Sequence, residues 1–258
     1  MDEKSVVMRK IIGCMRKAAD DYAMIEEGDR VAVGLSGGKD SLALLTALSV
    51  YRRFSPVGFD LAAINVDMGF EQSSATEREA LSAYVEELGI PYYVEKTDIA
   101  EIIFDVRKES NPCSLCSKMR RGALNSKCAE IGANKLALGH NAEDLIETFL
   151  LSLVYEGRLS TFQPVSYMSR SGITLIRPLI YVNESDIRSA VKRLSMPVLH
   201  NPCPMNHTSR REYMKELCAA ITRDVPFAKD RILGALTHPE RNNLFPPRSK
   251  REGYDEEE

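Results

Sequence analysis

The sequence predicts an α/β fold, a doubly wound and mostly parallel sheet with helices on both faces. Three observations predict it. Short β-rich runs alternate with longer helical stretches along most of the chain, the order that builds strand–helix–strand units. The strand runs are almost continuously apolar, as strands covered on both faces are. Ser36, Asp67 and His140 all fall at the carboxyl ends of predicted strands, where such sheets bind their ligands.

The elements follow in order. Residues 1–25 form an N-terminal segment with a helix over about residues 4–25, its charges spread throughout. RVAVGLS (30–36) reads as a strand and DSLALLTALSVYRRF (40–54) as the helix behind it. FDLAAINVDMGF (59–70) is a second strand, and SATEREALSAYVEELG (74–89) a helix stopped at Gly89. PYYVEKTD (91–98) is a third strand, followed by a helix over 114–132 that Gly132 closes. NKLALGH (134–140) is a fourth strand. The helix over 142–157 puts Leu145, Ile146, Phe149, Leu150 and Leu153 on one side. GITLIRPL (172–179) is a further strand, and Asn183 is placed to cap a helix over 183–195. One domain over 26–220 is expected, then a C-terminal helix and a flexible tail over 221–258.

At 258 residues and 44% hydrophobic composition the chain can bury a sizeable core. No apolar run approaches the ~20 residues that span a membrane, and the first residues lack the apolar block of a signal peptide. A cytoplasmic protein is expected. The net charge of −3 argues against a broadly basic nucleic-acid binder, while leaving room for a local basic face. Six cysteines in such a chain point to metal or redox chemistry for any clustered subset.

The string SGGKDS, Ser36 to Ser41, carries the chemistry of the first strand–helix turn. Gly37 and Gly38 let the backbone turn and approach a ligand closely. The next helix starts at Asp40 or Ser41, so free amides and the positive dipole end face the turn. Ser36 and Ser41 add hydroxyls and Lys39 a charge, a nest suited to pyrophosphate. The phosphate-loop pattern G-x-x-x-x-G-K-S/T is not met, because Val33 stands at its first glycine and Asp40 follows Lys39.

SGGKDS resembles the signature of the PP-loop ATP pyrophosphatases, whose sheet is of the adenine nucleotide alpha hydrolase-like, Rossmann-like type. That resemblance implies that Ser36, Gly37, Gly38, Lys39, Asp40 and Ser41 hold the leaving pyrophosphate of ATP with magnesium. It implies catalytic roles for Lys39 and Asp40. INVDMGF then lies against the adenosine, with Ala32, Gly34, Asn65, Asp67 and Met68 as candidates. A second string, LALGHNAEDLIET, brings Gly139, His140, Asn141 and Asp144 to the nucleotide and metal site. Asp144 and Glu147 share a helix face, and the competing reading for both is a helix cap or a solvated surface.

Cys113 and Cys116 stand as CxxC at a helix entrance, and Cys203 comes before a later helical stretch. Asn111-Pro112 and Asn201-Pro202 frame the two segments alike. A helix N-terminus favours the thiolate. CxxC by itself leaves zinc, a redox dithiol and chance open. With the loop and the third cysteine, the pattern resembles the tRNA 2-thiocytidine synthetase family over about Arg30 to Leu217. The resemblance implies that Cys113, Cys116 and Cys203 hold a [4Fe-4S] cluster with one iron open. It implies adenylation of the C2 oxygen of cytidine 32 in the tRNA anticodon loop, and displacement of AMP by sulfur. Sulfide at the cluster and a persulfide on Cys113 or Cys203 both remain open as carriers. Neither the zinc-finger cysteine pairs of related 2-thiouridine enzymes nor the long extra domain of lysidine synthetases is present.

The expected partners are tRNA and a sulfur donor, either a cysteine desulfurase or free sulfide, without a membrane. A homodimer is suggested by the family and by the apolar positions of the N-terminal helix. Lys118, Arg120, Arg121, Arg210 and Arg211 cluster near the cysteines and could grip RNA phosphates. His200 or His207 could complete a Cys3His zinc site. Cys14, Cys128 and Cys218 read as buried small hydrophobes. Lys250 and Arg251 in the tail, and His238, say little. The competing functions are a PP-loop ligase or amidotransferase on a small substrate, and a non-catalytic iron–sulfur nucleotide sensor.

Overall fold

A computed structural model describes residues 2–70, 74–108, 112–200, 202–205 and 210–241. Six strands form one sheet: β1 (Asp29–Gly34), β2 (Phe59–Asp67), β3 (Tyr92–Lys96), β4 (Lys135–Ala137), β5 (Val165–Met168) and β6 (Ile173–Ile176), in the order β3-β2-β1-β4-β6-β5. All neighbours are parallel except the β5–β6 pair. The strand order is wound outward in opposite directions from β1 and β4, which opens a crevice at their carboxyl ends.

Alternation along β1 separates the two faces. Val31 and Val33 join the core formed with α1 (Glu3–Asp21), α2 (Lys39–Tyr51), α3 (Ala75–Glu87) and α7 (Glu184–Arg193), while Ala32 packs on the other face with Leu124 and Cys128 of α5 (Pro112–Glu130). Helix α2 is buried from Ser41 to Tyr51, as expected of a helix apolar all round. A third cluster joins Ile146 and Leu150 of α6 (Ala142–Glu156) to Met214 and Cys218 of α8 (Arg210–Asp224), with Ile232 and Leu233 of α9 (Ala228–Thr237) against it.

Several expectations change here. Helix α1 stops at Asp21, and its Met8, Ile11, Met15 and Ala18 lie inside the core. Helix α8 runs through the expected boundary at residue 220 and packs on α6. Asn183 starts α7 in extended backbone without a side-chain cap bond. Strand β5 was not expected. It is a short edge strand, its Tyr167 is exposed, and it is held to β6 by the turn at Gly172. The turn formed by α4 (Ile99–Glu101) and a π-helical stretch over Ile102–Val106 was not expected either. Cys128 and Cys218 are buried and Cys14 half-buried, as small hydrophobes would be. The expected tail with Lys250 and Arg251, together with His207, Asn111 and Asn201, lies outside the described residues.

Candidate functional site

The strand ends open on a cleft of about 430 Å³. Ser36, Gly38, Asp40 and Ser41 form one part of its wall, Asn65, Asp67 and Met68 another, and Gly139 and His140 a third. All three strand-end residues singled out in the sequence therefore meet in one place.

The loop is built by short bonds. The Ser36 amide donates to Ser41 Oγ at 3.2 Å, the Gly38 amide to Ser36 Oγ at 3.3 Å, and Ser41 Oγ to the Gly38 carbonyl at 2.9 Å. No side chain caps α2, so its first amides remain for an anion. Gly37 has φ +77°, and a Cβ there would overlap the Leu199 side chain; the Leu199 amide donates to the Gly37 carbonyl at 2.9 Å. Gly139 is needed for close approach, since a Cβ would lie 2.9 Å from the Asp40 carbonyl carbon.

Lys39 lies off the cleft wall, its ammonium 2.8 Å from Asp40 Oδ2 and 2.9 Å from Glu184 Oε1. Burial works against its charge, but the two carboxylates outweigh this and raise its pKa. Ala32 is fully buried under the sheet among Ile64, Leu124 and Leu136, and cannot touch adenosine. Asn65 lines the cleft and donates from Nδ2 to the Leu35 carbonyl at 2.7 Å.

Asp40 is fixed from two sides, by Lys39 and by Asn141 Nδ2, which donates to Oδ1 at 3.0 Å. Asn141 and Asp144 form a reciprocal cap on α6, with bonds of 3.0 and 3.1 Å. Asp144 does more than cap: Arg211 donates to its Oδ1 at 3.1 Å and stands 3.6 Å from Glu147 Oε2. Glu147 is buried rather than solvated. Burial and the neighbouring Asp144 push its pKa up to about 7 against the pull of Arg211. Arg211 is thereby paired with both acids. Arg210 stacks on Tyr155 at 4.9 Å.

Cys113 and Cys116 lie in the first turns of α5, exposed and half-buried, and half-buried Cys203 lies in the segment before α8. Cys113 and Cys203 both act electrostatically on Cys116, so residues far apart in sequence share one neighbourhood. Burial raises the Cys116 pKa, Arg120 lowers it, and the other two cysteines add to the rise. The expected helix-end preference for thiolate is thus outweighed at Cys116. Ser117 and Pro202, the chain neighbours of Cys116 and Cys203, are on the cleft wall.

Among the described residues no three His, Cys, Asp or Glu side chains converge as a single metal ion requires. The His200 amide donates to Glu77 Oε2 at 3.2 Å. A four-iron cluster binds each thiolate on a different iron, so its ligands need not converge on a point. Three neighbouring thiols beside an arginine fit such a group in donor chemistry.

Sequence reasoning missed two residues. Glu184 anchors Lys39, and Arg177 is buried behind His140 with its guanidinium 4.9 Å over the Phe162 ring. RPL closes the strand run GITLIRPL in the sequence, and an arginine there is the signal that was available for the second.

Fold and cradle define a nucleotide-binding α/β protein whose anion loop is not of the phosphate-loop type. The chain matches the PP-loop domain family over residues 8–219. It is 38% identical over 242 residues to the tRNA-cytidine(32) 2-sulfurtransferase of Syntrophotalea carbinolica, covering 93% of this chain and 92% of that protein. It is 40% identical over 232 residues to that of Citrifermentans bemidjiense, covering 89% and 90%. The U34-tRNA thiolase NcsA from Methanococcus maripaludis, solved with its [4Fe-4S] cluster, superposes with a TM-score of 0.75 at 26% identity, covering 93% of this chain and 81% of that one. The chain belongs to the PP-loop domain family, as a relative of the tRNA-cytidine(32) 2-sulfurtransferases.

Proposed function

We propose that the chain is an ATP-dependent tRNA sulfurtransferase that converts cytidine 32 of the anticodon loop to 2-thiocytidine. One observation carries the reading. The segment leading to Cys203 is seated on the anion loop by Leu199 and Gly37, and Cys203 is an electrostatic neighbour of Cys116. A nucleotide cradle and three thiols therefore serve one cleft.

ATP binds with its phosphates at Ser36, Gly38, Ser41 and the start of α2, and its adenosine toward Asp67 and Met68. Asp40 keeps lone pairs on both oxygens after its bonds to Lys39 and Asn141, and would hold magnesium against the phosphates. The base O2 attacks the α-phosphorus, the bond to the β-phosphate breaks, and pyrophosphate leaves into the cradle, where fixed donors stabilise its charge. A sulfur nucleophile then attacks C2 and AMP departs, carrying the oxygen.

Cys113, Cys116 and Cys203 would hold the cluster, which supplies an iron open to a non-protein ligand. Lys39 acts through Asp40 in this reading, not as a direct phosphate ligand. His140 faces the cleft as a neutral ring: burial, then Arg177, lowers its pKa to about 3. The sulfur donor is a cysteine desulfurase or free sulfide.

The test is nucleoside mass spectrometry of tRNA from cells lacking the gene, complemented with wild type, Asp40→Asn or Cys203→Ser. Iron and labile sulfide are assayed on protein purified without oxygen. Only wild type should restore 2-thiocytidine. Normal 2-thiocytidine without the gene, or restoration by Cys203→Ser, overturns the reading.

A further inference from the structure

The two faces of the cleft differ in charge. Carboxylates come from the loop, β2 and α3, as Asp40, Asp67 and Glu77, with Arg78 of α3 a single cation beside them. Helix α5 instead presents Ser117, Arg120, Arg121 and Leu124, spaced as one helical face, and no acid. Neither Arg120 nor Arg121 enters an ion pair among the described residues, and neither does Arg177 behind them.

Arg177 is 7% exposed and its Nε is a buried donor without an acceptor. Its Nη1 bonds the Gln163 carbonyl, and the ring of Phe162 separates it from His140, whose own ring lies 4.9 Å from Phe162. His140 Nδ1 is likewise buried and unpartnered. Burying a guanidinium with no countercharge is costly, and the cost is offset when an anion arrives. Burial and the charge of Arg121 lower the Arg177 pKa to about 10. Arg120 acts in turn on the Cys116 thiol. Arg120 thus neighbours both the cleft and Cys116.

We infer that Arg120 and Arg121, backed by Arg177, form an anion site on the α5 wall that takes a backbone phosphodiester of the RNA beside the target base. The inference rests on the tRNA sulfurtransferase reading and names where that substrate is held. The phosphates of ATP have their own cradle at the start of α2, on the other face of the sheet. A base that must meet both ATP and the cysteines brings its phosphodiester to the strip between them. Guanidinium forks suit a phosphate there.

The test uses the cluster-loaded full chain and unmodified tRNA. Kd is measured by fluorescence anisotropy over a range of salt for wild type, Arg120→Gln, Arg121→Gln and Arg177→Lys, with ATP binding by calorimetry and iron content alongside. Each glutamine variant should weaken tRNA binding about tenfold and reduce the log–log salt slope by ~1. Its ATP Kd and iron content should remain at the wild-type value. Arg177→Lys, which keeps the charge but loses Nε, should weaken tRNA binding with little change in salt slope. An unchanged tRNA Kd and slope in both glutamine variants overturns the inference. So does loss of ATP affinity alone, which assigns the arginines to the nucleotide's own phosphates, or loss of iron alone, which assigns them to the thiolates. Wild type that binds no tRNA sinks the functional reading itself, and the inference with it.

Discussion

Glu147 gives the sharpest test of the electrostatics behind the cradle. It is 7% exposed on α6, one turn after Asp144, with Arg211 3.6 Å away. Burial first, and Asp144 second, raise its pKa from 4.5 to about 7. The folded state therefore holds this proton more tightly than the unfolded chain does. The sign follows from linkage: the stabilisation is fully present below pH 4.5 and is lost as pH rises through about 7. At about 1.4 kcal/mol per pH unit the loss has a ceiling of ~3.5 kcal/mol. Glu147→Gln keeps the shape and removes the titration. The variant should match wild type near pH 5 and exceed it progressively toward pH 8, by roughly 2–4 °C of melting midpoint per kcal/mol. Thermal unfolding followed by circular dichroism at constant ionic strength measures this. A midpoint difference that stays constant from pH 5 to pH 8 would refute the burial of an ionised Glu147 beside Asp144.

Other outcomes follow from the same geometry. Gly37→Ala must accommodate φ +77° and displace Leu199, so it should cost about 1–3 kcal/mol in urea unfolding and weaken ATP binding in calorimetry. Cys203→Ser should lose iron and labile sulfide yet bind ATP normally; Cys218→Ser, buried between α6 and α8, should lose stability while keeping iron. Glu184 is half-buried, which raises its pKa, but Arg188 and Lys39 overcome that and hold it at about 2. Its stabilisation is present above pH 4.5 and lost as pH falls through about 2, so Glu184→Gln should cost about 1–2 kcal/mol at pH 7 and converge with wild type in acid.

What the sequence made legible was local. SGGKDS, the CxxC pair and the strand-end residues are each readable because turn chemistry, helix ends and apolar runs are short-range properties. Strand β5 was missed because an exposed edge strand needs only one apolar side, and Val165 to Met168 is too short to show alternation. The roles of Lys39, Glu184 and Arg211 were illegible for a different reason. Lys39 looks like a phosphate ligand until Glu184 arrives from α7, and Arg211 looks like a surface charge until α8 lies on α6. A charge's partner is set by tertiary packing, and no window of sequence contains both.

The position of Cys203 follows from two such long-range attachments. Upstream, Leu199 bonds the Gly37 carbonyl and fills the space a Cβ would take, which is why residue 37 is glycine as well as why the loop can turn. Downstream, Arg211 bonds Asp144, which caps α6 through Asn141, which in turn holds Asp40. The third cysteine is thus tethered on both sides to the residues of the proposed phosphate cradle. A shift of the loop on binding or releasing pyrophosphate would pull on Leu199 and on the Asp40–Asn141–Asp144–Arg211 chain together. The proposed nucleotide and thiol sites would for that reason move as one unit, although their residues come from opposite ends of the domain. Gly37→Ala, which touches no cysteine, should accordingly lower iron retention along with ATP affinity; full iron content in a variant with impaired ATP binding would break that link.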